Sequence, residues 1–143
     1  MMRVRDIMTI RCITAPATMP VLEARQLMLE KRIRHLLVTD GPKLLGIVTD
    51  RDVRLNLPSP ATSLSVWEIN YLLARMTLSS VMTQNVVVVE SGREATEAAQ
   101  VMLDNKIGAL PVVDGDRVVG IVTETDVLRA FLKGAEQVAG LKA

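Results

Sequence analysis

The sequence predicts a mixed α/β (α+β) fold made of two repeats, each with the element order β-α-β-β-α. The first observation behind this prediction is a duplication, because Gly46–Val53 reads GIVTDRDV and Gly120–Val127 reads GIVTETDV, 74 residues further on. The second is that helical and strand patterns follow one another in the same order in both copies. The third is composition, since 49% of residues are apolar but only 2% are aromatic, so aliphatic side chains must fill the core.

The first copy shows the predicted order of strands and helices. Apolar residues at helical spacing predict an amphipathic helix, and two aliphatic runs around a turn at Asp40-Gly41 predict a hairpin. A unit of roughly 55 to 60 residues is marginal as an independent folder, so the two copies should share a core. The predicted elements are a helical turn at Val4–Met8, a strand at Cys12–Thr14, a helix at Pro20–Arg32, strands at Leu36–Val38 and Leu44–Val48, and a helix from Thr49.

The second copy repeats this order. Four consecutive valines, Val86–Val89, predict a strand that is covered on both faces. Pro111 indicates that its own stretch of strand begins at a sheet edge, because proline has no N–H to donate to a ladder. The remaining elements are a helix at Glu94–Asn105, strands at Leu110–Val113 and Val118–Val122, and a helix that ends at Leu132.

The segment between the copies belongs to neither. Prolines predict a loop at its start, and Leu64–Met76 follows as an amphipathic helix that carries Trp67 and Tyr71. Ser65 and Glu68 have the spacing of a capping box at its start. This helix is a candidate for partner contact, and packing across its own module is the equal alternative. The predicted organisation is 1–56 for repeat 1, 57–76 for the linker loop and extra helix, 77–133 for repeat 2, and 134–143 for a flexible tail.

Charge and composition exclude several classes of function. The net charge of +1 and the few aromatic residues argue against nucleic-acid binding. Residues 1–54 hold ten Lys or Arg and six Asp or Glu, so an anionic small ligand should favour the first copy. No pairing of a nucleophile with a base, no Walker-type loop and no metal-ligand spacing is present, so we expect no enzyme, no metal and no required cofactor. His35 is either a solvated strand residue or part of a site.

The compartment is predicted from what the chain lacks. Cys12 is the only cysteine, which fits a reducing environment and is typical of a small packed residue. No apolar run follows the arginines near the start, and none reaches the roughly 18 residues of a membrane span. We expect a cytoplasmic protein without membrane association.

The duplicated Thr-x-x-Asp has two interpretations. At a helix start, the threonine hydroxyl can cap a free N–H and the aspartate can return to the threonine N–H. The same corner can also bind a ligand, because an aspartate has about four acceptor positions and could still receive the two hydroxyls of a ribose. An apolar slot, a diol acceptor and phosphate donors together match a nucleotide.

The whole pattern resembles the cystathionine β-synthase (CBS) domain. The features that carry the resemblance are Met-Thr, an Ala-x-x-x-Met helix, an Ile-x-x-Leu-Pro-Val-Val-Asp-like segment and Gly-Ile-Val-Thr-x-x-Asp-Val. Two copies in tandem resemble a Bateman module, at about residues 3 to 56 and 77 to 132. The run from Asp50 to Arg54 and the Pro-Ser-Pro segment are also similar to the CBS part of bacterial acetoin-utilisation-type proteins. Some of those proteins carry an additional regulatory domain, which we do not expect here.

The resemblance implies a pseudo-two-fold pair of repeats with two clefts between them. Such modules commonly bind AMP, ADP, ATP or S-adenosylmethionine and commonly form dimers. In the family, the motif threonine contacts phosphate and the motif aspartate contacts ribose, while the first strand and the segment before the hairpin hold adenine. The implied ligand residues are Thr49, Asp52, Arg51, Arg34, His35, Leu36, Ile13 and Thr14 in the first copy, and Thr123, Asp126, Val87, Val88, Ala109, Leu110 and Pro111 in the second.

The copies differ in charge at these positions. Arg34-His35 corresponds to Gly108-Ala109, and Arg51 corresponds to Thr125. We therefore predict that the cleft marked by Thr49 and Asp52 binds the more highly charged ligand, or binds it more tightly. The sequence leaves open which cleft Arg34 and His35 serve.

Two functions compete at this point. The first is a regulatory sensor of adenosine-type nucleotides that signals to a protein in trans through a conformational or dimer change. The alternative is a ligand-free scaffold for dimerisation or protein interaction, in which Thr-x-x-Asp is a cap only and the Trp67 helix supplies the dimer face.

Overall fold

The computed structural model describes residues 1–58 and 63–142, with side chains up to residue 134. Within these residues the fold is mixed α/β, as predicted. The helices and strands, in chain order, are α1 Val4–Ile7, β1 Thr14–Ala15, α2 Val21–Lys31, β2 His35–Asp40, β3 Lys43–Thr49, α3 Asp50–Asn56, α4 Val66–Arg75, α5 Leu78–Val81, β4 Val89–Glu90, α6 Ala95–Asn105, β5 Ala109–Asp114, β6 Arg117–Thr123 and α7 Glu124–Lys142.

The chain divides into two compact units that exchange their leading segments. One unit is the continuous stretch Ile13–Val86, and the other joins Met1–Cys12 to Val87–Ala143. Hydrogen bonds explain the exchange: the backbone of Thr83 pairs with Ile47 in the first unit, and that of Thr9 pairs with Ile121 in the second. Each unit is therefore completed by the first residues of the other sequence repeat.

The unit formed by Ile13–Val86 contains a three-stranded sheet in the order β1-β2-β3. β1 runs parallel to β2, and β2 and β3 form the predicted antiparallel hairpin. Helix α2 packs against this sheet through apolar residues at helical spacing. The core of the unit consists of buried Ala15, Val21, Ala24, Met28, Leu36, Val38, Val48, Val53, Leu78 and Val81.

The second unit has the equivalent sheet, β4-β5-β6. Its core is also aliphatic and contains Val4, Val89, Ala98, Met102, Leu110, Val112 and Val122. Within the described residues, neither core cluster contains an aromatic side chain, which agrees with the expectation that aliphatic packing fills the core.

The valine run does not form the strand that was predicted. Only Val89 of the four valines is in β4, and Val87 and Val88 are 37% and 40% exposed. The reason lies in Pro111. Ile121 lies opposite Pro111 on β6, but its N–H and its carbonyl both bond to Thr9 and not to Pro111. The nitrogen of Pro111 therefore faces β4. Because that nitrogen has no hydrogen, pairing with β4 starts one residue later, at Val112.

The first copy shows what the proline prevents. There Leu37 occupies the position of Pro111, and pairing with β1 already begins at Thr14, the equivalent of Val88. Pro111 thus lies where β5 has no strand partner on the β4 side, and the predicted sheet edge exists at this position only. β5 as a whole is the middle strand of its sheet.

Two helices refine the predicted boundaries. α4 begins after Ser65 with the predicted capping box, in which Ser65 and Glu68 exchange bonds with each other's backbone. α7 continues to Lys142, so the prediction that this helix ends at Leu132 is wrong. Gly134 does not stop the helix, because a helical glycine costs only about 1 kcal/mol relative to alanine. The predicted flexibility of 134–143 stays a prediction.

Candidate functional site

The first candidate corner lies where β3 ends and α3 begins. Thr49 is the N-cap, and its Oγ1 accepts a bond of 3.0 Å from the Asp52 N–H. In return, Asp52 Oδ2 accepts a bond of 2.9 Å from the Thr49 N–H. This reciprocal arrangement is the capping box that the sequence predicts. It uses only one of the two carboxylate oxygens.

Arg34 and His35 lie beside this corner. His35 is the cross-strand partner of Thr49, and the Arg34 carbonyl accepts a bond of 3.0 Å from the Asp50 N–H. The residue just before β2 and the first residue of α3 are therefore joined by a backbone hydrogen bond. The sequence leaves open which cleft these two residues serve, and the fold brings their backbone next to Thr49.

Alternation along the strands separates the predicted site residues into two groups. Leu36 is buried in the core of its unit, and Ile13 packs against that core. Because neighbouring strand residues face opposite sides, His35 and Thr49 lie on the other face of the sheet. Thr14 lies on that face as well, since it pairs with Leu37. Leu36 and Ile13 can therefore reach a ligand on this face only through their backbone.

Two arginines adjoin the same corner along the backbone, since Arg34 precedes His35 and Arg51 lies in the first turn of α3. Arg34 and Arg51 are both exposed, and neither enters an ion pair within residues 1–58 and 63–142. The acidic neighbour Asp50 is occupied elsewhere, because its Oδ1 accepts a bond of 2.9 Å from the Arg51 N–H and its Oδ2 lies 4.0 Å from Arg54. The corner thus combines one open carboxylate oxygen with two cations that have no acidic partner among the described residues.

The second candidate corner repeats the first in backbone. β6 ends at Thr123, α7 begins at Glu124, and Ala109 is the cross-strand partner of Thr123. The Glu124 N–H donates to the Gly108 carbonyl at 3.1 Å, as Asp50 does to Arg34. Asp126 Oδ2 accepts a bond of 2.8 Å from the Thr123 N–H. The duplication therefore extends from sequence to hydrogen bonds.

The side chains of the second corner differ from those of the first. Asp126 is only 6% exposed, whereas Asp52 is half-buried. Thr123 Oγ1 donates to Asp126 Oδ2 at 3.1 Å, and Thr9 Oγ1 donates to Asp126 Oδ1 at 3.2 Å. Both oxygens of Asp126 are thus engaged by the protein. For this carboxylate, the capping interpretation describes the geometry.

The other predicted residues of the second copy are arranged less favourably for a side-chain site. Ala109, Leu110 and Pro111 are buried, and Leu110 belongs to the core of its unit. Val87 and Val88 precede β4 and are partly exposed. The fold brings Ala109 to Thr123 across the hairpin.

Thr9 is the residue that sequence reasoning missed. Its signal was present, because Met8-Thr9 recurs as Met82-Thr83 at the same offset as the Thr-x-x-Asp motif. The repeat identified Thr9 as part of the unit, but the unit it completes is formed with residues 87 and beyond. A sequence separation of 117 residues divides Thr9 from Asp126.

Other chemistry is sparse in the described part of the chain. No group of three or more His, Cys, Asp or Glu side chains is arranged there to hold a metal ion. Burial raises the pKa of the Cys12 thiol, which lowers its thiolate fraction at neutral pH. No described helix is long and apolar enough to cross a bilayer.

Helix α4 presents a second kind of surface. None of its residues is buried, and Trp67 is 83% exposed. Packing across its own module was the alternative predicted role for this helix, and α4 does contact α2 of its own unit, while the Trp67 side chain stays exposed. The guanidinium of Arg75 lies 3.5 Å from the centre of the Tyr71 ring. A shallow groove on this surface is lined by Leu64, Trp67, Glu68, Tyr71 and Leu72.

Comparison with known proteins identifies the repeated unit. A family model of the CBS domain matches residues 4–59 and 78–133. The crystal structure of the acetoin utilization protein AcuB from Vibrio cholerae is similar over 98% of this chain and 97% of its own, with 33% identity and a TM-score of 0.81.

Two further similar structures contain ligands. CBSX2 in complex with AMP shares 30% identity over 93% of this chain and 98% of its own, with a TM-score of 0.76. The CBS domain pair of protein MJ0100, in complex with 5′-methylthioadenosine and S-adenosyl-L-methionine, shares 30% identity over 92% of this chain and 97% of its own, with a TM-score of 0.75.

Some curated relatives are much longer than this chain. It is 35% identical over 128 residues to a homoserine O-acetyltransferase of Methanohalobium evestigatum, but it spans only 23% of that protein. The similarity therefore concerns one part of such proteins.

Proposed function

The chain belongs to the CBS domain family, with two copies of the domain, and from this premise we propose that it is a regulatory module for adenosine-type nucleotides. AMP, ADP, ATP and S-adenosylmethionine are the candidate ligands. Similar CBS pairs have been crystallised with AMP and with S-adenosyl-L-methionine, which supports this ligand class. The role is regulatory and not catalytic, and it requires no resident cofactor.

The observation that carries the proposal is the open oxygen of Asp52. Its Oδ1 accepts no hydrogen bond from the described residues, while Oδ2 holds the cap at Thr49. A ribose offers two neighbouring hydroxyls, and a carboxylate oxygen with both lone pairs unused can accept from them. Hydrogen bonds to a charged acceptor are the stronger kind. We therefore assign the ribose to Asp52.

The anionic part of the ligand is assigned to the cations of the same corner. Arg34 and Arg51 have no acidic partner among the described residues, and His35 lies opposite Thr49. Guanidinium groups suit phosphate because their N–H donors match its oxygens in pairs. We place adenine beside β1, at Thr14 and the backbone of Ile13. The first corner should therefore prefer a charged nucleotide.

A regulatory role requires that the ligand discriminate between two arrangements of the protein. Binding can shift such an equilibrium only by its difference in affinity for the two states. We propose that the module forms a homodimer in the cytoplasm, where a single cysteine, Cys12, suits reducing conditions. A protein in trans would respond to the change.

Calorimetric titration with AMP, ATP and S-adenosylmethionine tests the proposal. Asp52→Asn keeps an oxygen that can accept from the Thr49 N–H, but it removes the charge and one acceptor. Loss of a hydrogen bond to a charged group costs about 1.5 to 3 kcal/mol, so affinity should fall about 10- to 100-fold. Asp40→Asn is the matched control, because it makes the same change at an exposed turn of the same hairpin. Equal affinity in Asp52→Asn and Asp40→Asn would contradict the assignment.

Thermal stability gives an independent measurement. A ligand that binds only the folded protein, at 100 times its dissociation constant, stabilises it by about 2.7 kcal/mol. We expect a rise in the melting temperature with at least one adenosine compound. No shift with any of them would leave the nucleotide proposal without support.

The second candidate function is an assembly module, and the exposed face of α4 favours it. Trp67 and Tyr71 lie one turn apart and are both exposed, beside exposed Leu72. The occupant we propose is the same helix of a second copy. In an antiparallel pair centred between Tyr71 and Leu72, Glu68 of one copy is opposite Arg75 of the other, so the charges are complementary.

Sedimentation of a concentration series tests this assembly. Trp67→Ser removes the largest exposed apolar side chain of α4 and should weaken self-association about tenfold or more, as for a central interface aromatic. Leu103→Ser is the control, because Leu103 is 72% exposed on a different helix. If both variants associate like the wild type, α4 is not the dimer face.

A further inference from the structure

We infer that Thr9 closes the second corner, so that the chain binds one nucleotide, at Asp52, and none at Asp126. The inference rests on the proposed function, and it identifies which of the two duplicated corners is able to perform it. Thr9 Oγ1 donates to Asp126 Oδ1 at 3.2 Å and lies 3.4 Å from Oδ2. The hydroxyl of Thr9 thus takes the position at the carboxylate that a ribose hydroxyl would need.

The first corner provides an internal comparison. Thr83 is the equivalent of Thr9, and its backbone makes the same pair of bonds, with Ile47 at 3.1 and 2.9 Å, as Thr9 makes with Ile121 at 2.8 and 3.0 Å. Within the described residues, the Thr83 hydroxyl makes no hydrogen bond to Asp52. The two corners therefore share their backbone and differ in whether this hydroxyl occupies the carboxylate.

The position of Thr9 is fixed by close packing. A Cβ at Gly120 would lie 2.8 Å from the Thr9 carbonyl oxygen, so only glycine at this position lets the segment approach β6 so closely. Two backbone bonds then hold Thr9 against Ile121, within reach of Asp126. The hydroxyl needs no further movement to occupy the carboxylate.

The energetic consequence is a difference in affinity. Thr9 Oγ1, Thr123 N–H and Thr123 Oγ1 already use three of the about four acceptor positions of Asp126, which is 6% exposed. Both hydroxyls of a ribose can therefore bind Asp126 only if the Thr9 hydroxyl first gives up its bond. Losing such a bond weakens binding by about 10- to 100-fold, before any difference in cations is considered. The second corner also has Gly108 and Thr125 where the first has Arg34 and Arg51. Both effects favour the first corner.

Calorimetric stoichiometry with AMP tests the inference on the full chain. The wild type should bind one AMP per chain, Asp52→Asn should lose that event, and Asp126→Asn should retain it. Thr9→Val keeps the shape of the side chain but removes its hydroxyl, so it should expose Asp126 and add a second, weaker binding event. Thr83→Val, the same change in the other unit, should leave the stoichiometry at one.

Several results would overturn this assignment. Two equivalent AMP molecules per wild-type chain, with one lost in Asp126→Asn, would show that the second corner is open, although the proposed function would stand. A single event that is lost in Asp126→Asn and kept in Asp52→Asn would reverse the assignment. A folded Thr9→Val protein with one event would show that Thr9 is not what closes the corner. If Thr9→Val does not fold, the two aspartate variants decide. No heat with AMP, ATP or S-adenosylmethionine would instead refute the proposed function, and this inference with it.

Discussion

Substituting Gly46 by alanine probes the contact that joins residues 77–86 to the first sheet. A Cβ at Gly46 would lie 2.7 Å from the Thr83 carbonyl oxygen and 2.9 Å from Met82 Sδ. The methionine side chain can move, but the carbonyl is backbone. Thr83 must therefore move away from β3, and its two bonds with Ile47, of 3.1 and 2.9 Å, lengthen or break.

The expected cost follows from those two bonds. Each contributes about 0.5 to 1.5 kcal/mol net, so Gly46→Ala should lower the free energy of unfolding by about 1 to 3 kcal/mol. Urea denaturation followed by far-ultraviolet circular dichroism measures the change. Gly92→Ala is the control, because no atom lies within 4 Å of a Cβ built there, and its effect should stay within about 0.5 kcal/mol.

The reasoning would be refuted if Gly46→Ala and Gly92→Ala unfolded at the same urea concentration with the same slope. That result would mean that the Thr83 segment can move without cost. Gly120→Ala should behave like Gly46→Ala, since its Cβ would lie 2.8 Å from the Thr9 carbonyl oxygen.

Two further predictions concern local features. Ser65→Ala removes the hydroxyl that accepts a bond of 3.2 Å from the Glu68 N–H, so it should lower the free energy of unfolding by about 0.5 to 2 kcal/mol and reduce helicity. Ser63→Ala, just before the helix, should change neither. Equal circular dichroism spectra and melting curves for the two variants would argue against the cap. The raised pKa of Cys12 implies that its alkylation by iodoacetamide is slower at neutral pH than that of a free thiol and accelerates only at higher pH; a rate equal to that of free cysteine at pH 7 would contradict the burial of this thiol.

Much of the fold could be predicted from the sequence because local patterns determine it. The helical spacing from Val21 to Met28 predicts α2, the turn at Asp40-Gly41 predicts the hairpin, and Ser65 with Glu68 predicts the start of α4. Each of these signals lies within a few residues of the structure that it produces. The capping boxes at Thr49 and Thr123 were predictable for the same reason.

The features that the sequence did not predict depend on distant residues. Four valines have the composition of a strand, but Pro111 in the neighbouring strand limits their pairing to Val89. Thr9 reaches Asp126 only because the chain returns to it 117 residues later. The matching threonine, Thr83, makes no such bond to Asp52 within the described residues. Local patterns could therefore locate both corners, but they could not distinguish an engaged carboxylate from an open one.

Because the leading segments are exchanged, the two units become complete at different times during synthesis. All of the residues in Ile13–Val86 are consecutive, so this unit has its whole complement of contacts available once residue 86 has left the ribosome. Met1–Cys12 is synthesised before Ile13–Val86, but its unit can form only after Val87 and the residues that follow it have been made. Because synthesis adds about 5 to 20 residues per second, the amino-terminal segment remains without its partners for several seconds. A chain that lacks residues 1–12 should accordingly still form the unit Ile13–Val86 but not the unit that contains Val87 and the residues after it.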